Sequence, residues 1–440
     1  MGNDDAGQHS SEAVSDDFAR AMLCSPRGLR LAFETACLSI QKSPQTQDLG
    51  EDIAWQDLAA LREAAYDESV SAILSRRGPG ERGWAGLPRH FGPGYREPAE
   101  PQMPGPLPYE ALAGSLGRYQ PAAPSGPELL DALITTVFEA SYWGEVHGEE
   151  VLASREPIRQ ALFPFACVAA QAILHFGLDS LPDPDEQWFV DFDNSALGVE
   201  HGLPPTPAKA SALLEQWWDR TTARESRAIL DVPADPAARY SGEWWSTPPN
   251  SLMITSPAWP ASMTEPGQGP HPGEPTGLRI VEDPHGWERA TVYRLASPRA
   301  LREPRLFIID GPRDWAWLCG RFPFEVSASR RHDWHRITGG VEPWFIPDFD
   351  AIAAEFDAVH LSLRGYLSSA GIAIPVPFPT EPDEGAQLLG PGLPTRTPRG
   401  HAVLAGWAPL TTYWLVDAEV DPDSGSEWEG DGQRAWSPSS

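Results

Sequence analysis

The octapeptide "SRRHDWHR", residues 329–336, sets three arginines and two histidines around one tryptophan. Arginine forks engage carboxylate or phosphate oxygens through two parallel N–H donors. Histidine exchanges a proton near neutral pH, and an indole offers a flat face to a ring. Together these groups suit an anionic, ring-bearing small molecule such as a nucleotide. As a strand, the stretch places Arg330, His332, Trp334 and Arg336 on one face and Arg331, Asp333 and His335 on the other. As a helix, it clusters His332, His335 and Arg336 instead. Either geometry makes Arg330, Arg331, Trp334 and Arg336 candidate ligand-binding residues, with His332 and His335 as candidate acid–base groups. The plainer alternative is that the arginines pair with some of the chain's own 62 acidic residues and that Trp334 is core.

A second stretch, "AVHLSLRGYL" at 358–367, alternates like a half-buried strand. Val359, Leu361 and Leu363 form the apolar set. His360, Ser362, Arg364 and Tyr366 form the other, adding a catalytic candidate in His360 and ligand-binding candidates in Ser362, Arg364 and Tyr366. An ordinary solvent face is the competing reading. A catalytic site requires the two stretches to face one concave pocket, and a transferase or hydrolase is the activity such a pocket suggests. A third stretch, "RIVEDPHGWE", carries Glu282, Asp283 and His285 at the end of an expected strand, where loops often carry function. It reads equally as a turn. In "GEWWSTPPNS", an extended backbone puts Trp244 and Trp245 on opposite faces.

Other chemistry is missing from the sequence pattern. Phosphate-loop, dinucleotide-binding, nucleophile-elbow and zinc-protease signatures do not occur, so the sequence leaves any cofactor unknown. "DFDNSAL" from Asp191 lacks the glycine and the distal glutamate of a calcium loop. Cys24, Cys37, Cys167 and Cys319 are far apart and read as reduced thiols, with no metal site expected.

The formal charge of -29 opposes nucleic acid and anionic membranes. A local pocket can still differ in sign from the whole. The charge also supports a different reading: a non-catalytic acidic interaction or neutralising module for a basic protein partner, with salt-sensitive association. A carbohydrate-binding aromatic surface is a third. Lysine occurs only at Lys42 and Lys209, an arginine bias that points to GC-rich bacterial coding. The N-terminal stretch has no cationic or apolar leader pattern, which places the expected protein in the cytoplasm.

The elements that must position these residues divide the chain. Residues 1–15 read as a disordered tail and 16–235 as mainly helical. That region includes a Pro/Gly-rich segment at 78–107 and a capping box, Ser125 with Glu128, ahead of an apolar helical stripe. Ser15 is the expected cap of a first helix, a second covers 53–76, and Thr206-Pro207 opens a later one. Pro164 is expected to kink the apolar helix around it. From 240 to 420, short branched runs separated by turns ("SLMIT", "GLRIVE", "ATVYRLA", "RLFIID", "TTYWLVD") predict strands. "PRDWAWLCGRF" and "PDFDAIAAEFD" predict two helices. The last stretch, 421–440, reads as a disordered acidic tail. The predicted class is α+β: a mainly helical first half, then a mixed, mostly antiparallel sheet domain.

Overall fold

The computed structural model describes residues 4–43, 51–75, 105–144, 147–193, 208–264, 269–283, 286–296, 303–341, 343–377, 400–431 and 435–439. The chain divides into two compact units, Met1–Phe176 and Gly177–Ser440. The protein is α+β, with most helices N-terminal and a mixed sheet of nine strands in the C-terminal half.

The first unit is helical among its described residues: α1 (Asp4–Met22), α2 (Pro26–Lys42), α3 (Glu51–Ser75), α4 (Tyr109–Leu116), α5 (Gly126–Phe138), α6 (Gly148–Ser154) and α7 (Glu156–Phe176). Ser25 caps α2 by accepting from the Gly28 N–H at 3.1 Å. The capping box forms at α5, where Glu128 accepts from the Ser125 N–H at 2.8 Å. Helix α7 runs through Pro164 without a break in its assignment. By length and composition it is the one described helix apolar enough to cross a membrane. Here it packs against α1, α2 and α4, burying Ile158, Leu162, Phe165, Ala169 and Ile173.

A polar cluster sits inside this helical unit. Arg27 is ion-paired to Glu150, both nearly inaccessible to solvent. Arg30 and Arg62 hold Glu34 at 2.8 Å each. Burial pushes the Glu150 carboxyl upward, against the pull of Arg27.

The second unit carries α8 (Ala210–Asp231), α9 (Pro312–Arg321), α10 (Ser327–Thr338), α11 (Phe349–Ile352) and α12 (Leu363–Ser369). Its strands are β1 (Trp188–Phe192), β2 (Ile254–Ser256), β3 (Arg289–Ala296), β4 (Leu306–Ile309), β5 (Pro323–Glu325), β6 (Phe345–Pro347), β7 (Ala358–Leu361), β8 (Ile374–Val376), β9 (Gly400–Ala402), β10 (Thr411–Trp414), β11 (Glu419–Val420), β12 (Ser426–Gly430) and β13 (Trp436–Pro438). The main sheet has the order β13-β12-β3-β1-β2-β10-β7-β4, with β11 also paired to β3. Its pairs are antiparallel except β4 with β7. Pairs β5-β6 and β8-β9 stand apart as two-stranded sheets.

Four expectations change here. Strand β1 lies within the stretch read as helical and holds an inner place in the sheet. Its apolar–polar alternation is too short to stand out between helices. The stretch read as a disordered acidic tail contains β12 and β13, which bring Trp428 and Trp436 into a core with Leu278, Ala290 and Val292. At the other end, α1 begins at Asp4, ahead of the expected Ser15 cap. The run "GLRIVE" gives a single helical turn, Thr276–Leu278, in place of a strand. Residues 78–104, most of 377–400, and Thr206 and Pro207 lie outside the described residues.

Candidate functional site

"SRRHDWHR" is helical and lies within α10. The helix lacks an apolar stripe, and its buried set includes Arg330, His332, Asp333 and Trp334. Such a face needs polar partners, since a buried charge is stable only when paired. The chain supplies them. Glu225 of α8 accepts from the Ala328 and Ser329 N–H groups at 2.6 and 2.9 Å, and from the Ser329 hydroxyl at 2.6 Å. A carboxylate thus sits on the positive end of the helix dipole. Arg330 is 2% exposed and ion-paired to Glu243. Its Nε and Nη2 also donate to the Trp245 carbonyl, both at 3.3 Å. Burial lowers the Arg330 pKa, with Glu243 opposing that shift.

His332, Asp333, Trp334 and Arg336 are fixed to the same neighbouring segment, 233–245, while His335 bonds to Gly340 just past the helix. Trp334 is fully buried, donates its indole N–H to the Trp244 carbonyl at 2.8 Å and meets Trp344 edge-on at 5.5 Å. Asp333 accepts from the Gly242 N–H at 2.8 Å and from Ser241 at 3.0 Å. Arg336 donates to Asp333 at 2.6 Å and to the Tyr240 carbonyl at 2.9 Å. His332 Nε2 donates to the Asp235 carbonyl at 3.1 Å, and His335 Nδ1 to the Gly340 carbonyl at 2.9 Å. A carbonyl can only accept, so both tautomers are set. Burial lowers the His332 pKa and favours its neutral form. Helix α10 ends at Gly339, whose φ of 71° is the left-handed cap.

The second stretch differs from its alternating-strand expectation. Strand β7 stops at Leu361 and is buried throughout. The Ser362 hydroxyl then accepts from the Gly365 N–H at 2.9 Å and caps α12. The row is therefore broken: His360 is on a strand, while Arg364 and Tyr366 are on a helix. His360 is enclosed in the sheet with its Nδ1 2.9 Å from the Thr412 hydroxyl, and burial drives its pKa down to about 3. Ser362 donates to Asp310 at 2.6 Å, and Arg364 lies 4.0 Å from the same carboxylate. Tyr366 is buried within α12. The two stretches are thus anchored to different partners: the 233–245 segment for one, β10 and Asp310 for the other.

One member of the octapeptide stands apart. Arg331 donates Nη1 to the Pro233 carbonyl at 2.8 Å and makes no ion pair among the described residues. It lines a cavity of about 300 Å³ with Ala234, Pro236, Glu325, Ser327, Val341, Pro343 and Trp344. Ser327 and Arg331 are one turn apart on α10 and share a face. Glu325 closes β5, and Trp344 precedes β6, whose pairing with β5 joins Glu325 to Phe345. Sequence reasoning singled out Arg331 but missed Glu325, Ser327 and Trp344. They share no motif with it and meet it only through the short β5-β6 pair.

Of the remaining candidates, Asp283 has a φ of 52° in a turn, and His285 lies outside the described residues. Trp244 and Trp245 are half-buried and touch edge-on at 5.6 Å. Among the described residues no group of three His, Cys, Asp or Glu side chains could hold a metal ion. No protein family, curated protein or solved structure matches the chain.

Proposed function

We propose that the second unit binds a small molecule through an anionic group, and that Arg331 is the residue that receives it. The observation that carries this reading is the contrast within one helix. Arg330 and Arg336 spend their donors on Glu243, Asp333 and carbonyls of the 233–245 segment. Arg331 has donors left and borders a cavity. At about 300 Å³ the cavity is at the lower end for small-molecule sites, and Trp344 and the prolines supply apolar wall for a ring or chain. A transferase or hydrolase role needs a base in that cavity, and among the described residues Glu325 is the carboxylate that lines it. The three histidines considered from the sequence have their hydrogen bonds elsewhere.

The test is thermal shift of the full chain with AMP, benzoate, inorganic phosphate and small carboxylates. Wild type is expected to gain stability with at least one of them, and Arg331→Ala to lose that gain while melting near wild type unliganded. A gain that persists undiminished in Arg331→Ala overturns the assignment.

A further inference from the structure

The same cavity is lined by a second charged side chain, Glu325. Glu325 accepts from the Ser327 hydroxyl at 2.8 Å and makes no ion pair among the described residues. Arg331 and Glu325 therefore line one cavity with opposite charges, yet they do not pair with each other. Arginine–carboxylate pairs do form elsewhere in this unit, as at Arg279–Glu274 and Arg305–Asp357. Ala234, Pro236, Val341, Pro343 and Trp344 provide the apolar remainder of the lining.

Each charge restricts what the other admits. Arg331 alone accepts any anion. Glu325 is exposed and Arg331 half-buried, so water screens both, yet a multiply charged anion held by Arg331 still meets the like charge of Glu325 across the same opening. The ligand that satisfies both groups carries a cation and an anion of its own, close together, and an apolar body. The volume suits one small molecule of that kind.

We infer that the cavity bordered by Arg331 and Glu325 takes a zwitterionic α-amino acid with an apolar side chain: its carboxylate on Arg331, its ammonium on Glu325, its side chain among the prolines and Trp344. This rests on the Arg331 reading above and narrows it to a ligand class.

Calorimetric titration of the full chain with L-leucine, L-phenylalanine and L-proline tests it, with N-acetyl-L-leucine and L-leucinamide as probes lacking one charge each. Each charge-assisted contact is expected to contribute about 10- to 100-fold in affinity. L-leucine or one of its companions should bind, and both capped leucines should bind more weakly by about that factor. Glu325→Gln, which keeps the Ser327 hydrogen bond, should lower amino-acid affinity while leaving N-acetyl-L-leucine bound at least as tightly, since a like charge is removed. Arg331→Gln should do the reverse for L-leucinamide. If N-acetyl-L-leucine binds as tightly as L-leucine and depends on Arg331, the anion site stands and the zwitterion inference falls. If no amino acid binds at millimolar concentration but AMP or benzoate gives an Arg331-dependent shift, the inference falls in the same way. If none of these probes binds, both readings fall together.

Discussion

Replacing Arg330 by alanine removes the one cation wholly enclosed against the 233–245 segment. Four contacts go with it: the ion pair to Glu243, the hydrogen bonds to the Trp245 carbonyl, the Nη1 hydrogen bond to the Ser329 hydroxyl at 2.8 Å, and a guanidinium lying 5.8 Å from the Trp245 ring centre. Stranding the partner of a buried pair costs about 3–5 kcal/mol. Glu243 keeps Arg224 at 2.5 Å, and Arg224 is half-exposed, so the lower end, about 3 kcal/mol, is expected. At about 2–4 °C per kcal/mol for a unit of this size, that is a fall of about 6–12 °C in the unfolding midpoint. Arg331→Ala, one residue along, should cost ~0–1 kcal/mol, as for an exposed ion-pairing cation at most. Differential scanning calorimetry at neutral pH reads both. Removing both partners is milder than removing one, so Arg330→Met combined with Glu243→Gln should recover part of the loss. Equal falls for Arg330→Ala and Arg331→Ala, or no fall for either, would refute the claim that Arg330 is held by the chain's own anions.

Further outcomes follow from the same structure. His360 is kept neutral with a pKa of about 3. The unfolded chain protonates it near its ordinary value of about 6.5, so stability should fall as pH drops from there toward about 3, by up to ~1.4 kcal/mol per pH unit. His360→Leu should flatten that limb in acid urea titrations, and an unchanged slope would count against the burial. Arg27→Ala in the first unit should cost about 3–5 kcal/mol by leaving Glu150 buried alone, measured by urea denaturation. Trp428→Ala should cost about 3–5 kcal/mol, and ending the chain after residue 420 should destabilise the second unit at least as much, because Trp428 and Trp436 are core. A truncated protein as stable as the full chain would show instead that β12 and β13 are dispensable.

The fold class was legible where apolar periodicity and turn chemistry agree. The capping box at Ser125 and Glu128, the stripe behind it, and the runs that became β3, β4 and β10 all carry their own signal. Helix α10 did not, because its inward face is ionic: Arg330, Asp333 and His332 are buried, and hydrophobic patterning cannot report a face that packs by charge. The row from His360 to Tyr366 misled for a related reason. A period-two pattern can continue across a strand end, and the capping signal was Ser362 with Gly365 three residues on. The tail misled by composition, since its acidic residues outnumber the two tryptophans that anchor it. For the site, the sequence located the cationic helix but could not say which arginine was unspent. That depends on Glu225, Glu243 and Asp333, two of which lie about ninety residues or more away in the chain.

The most direct test of the account is to watch the arginine side chains themselves. In a ¹⁵N-resolved spectrum of arginine Nε–H groups, assigned by single substitutions, Arg330 and Arg336 should give resonances that stay fixed as the binding probe is titrated. Arg331 should be the one that moves, with saturation matching the thermal shift. Movement of Arg330 and Arg336 with Arg331 unchanged would contradict it, and would return the helix's enclosed cations to the binding site.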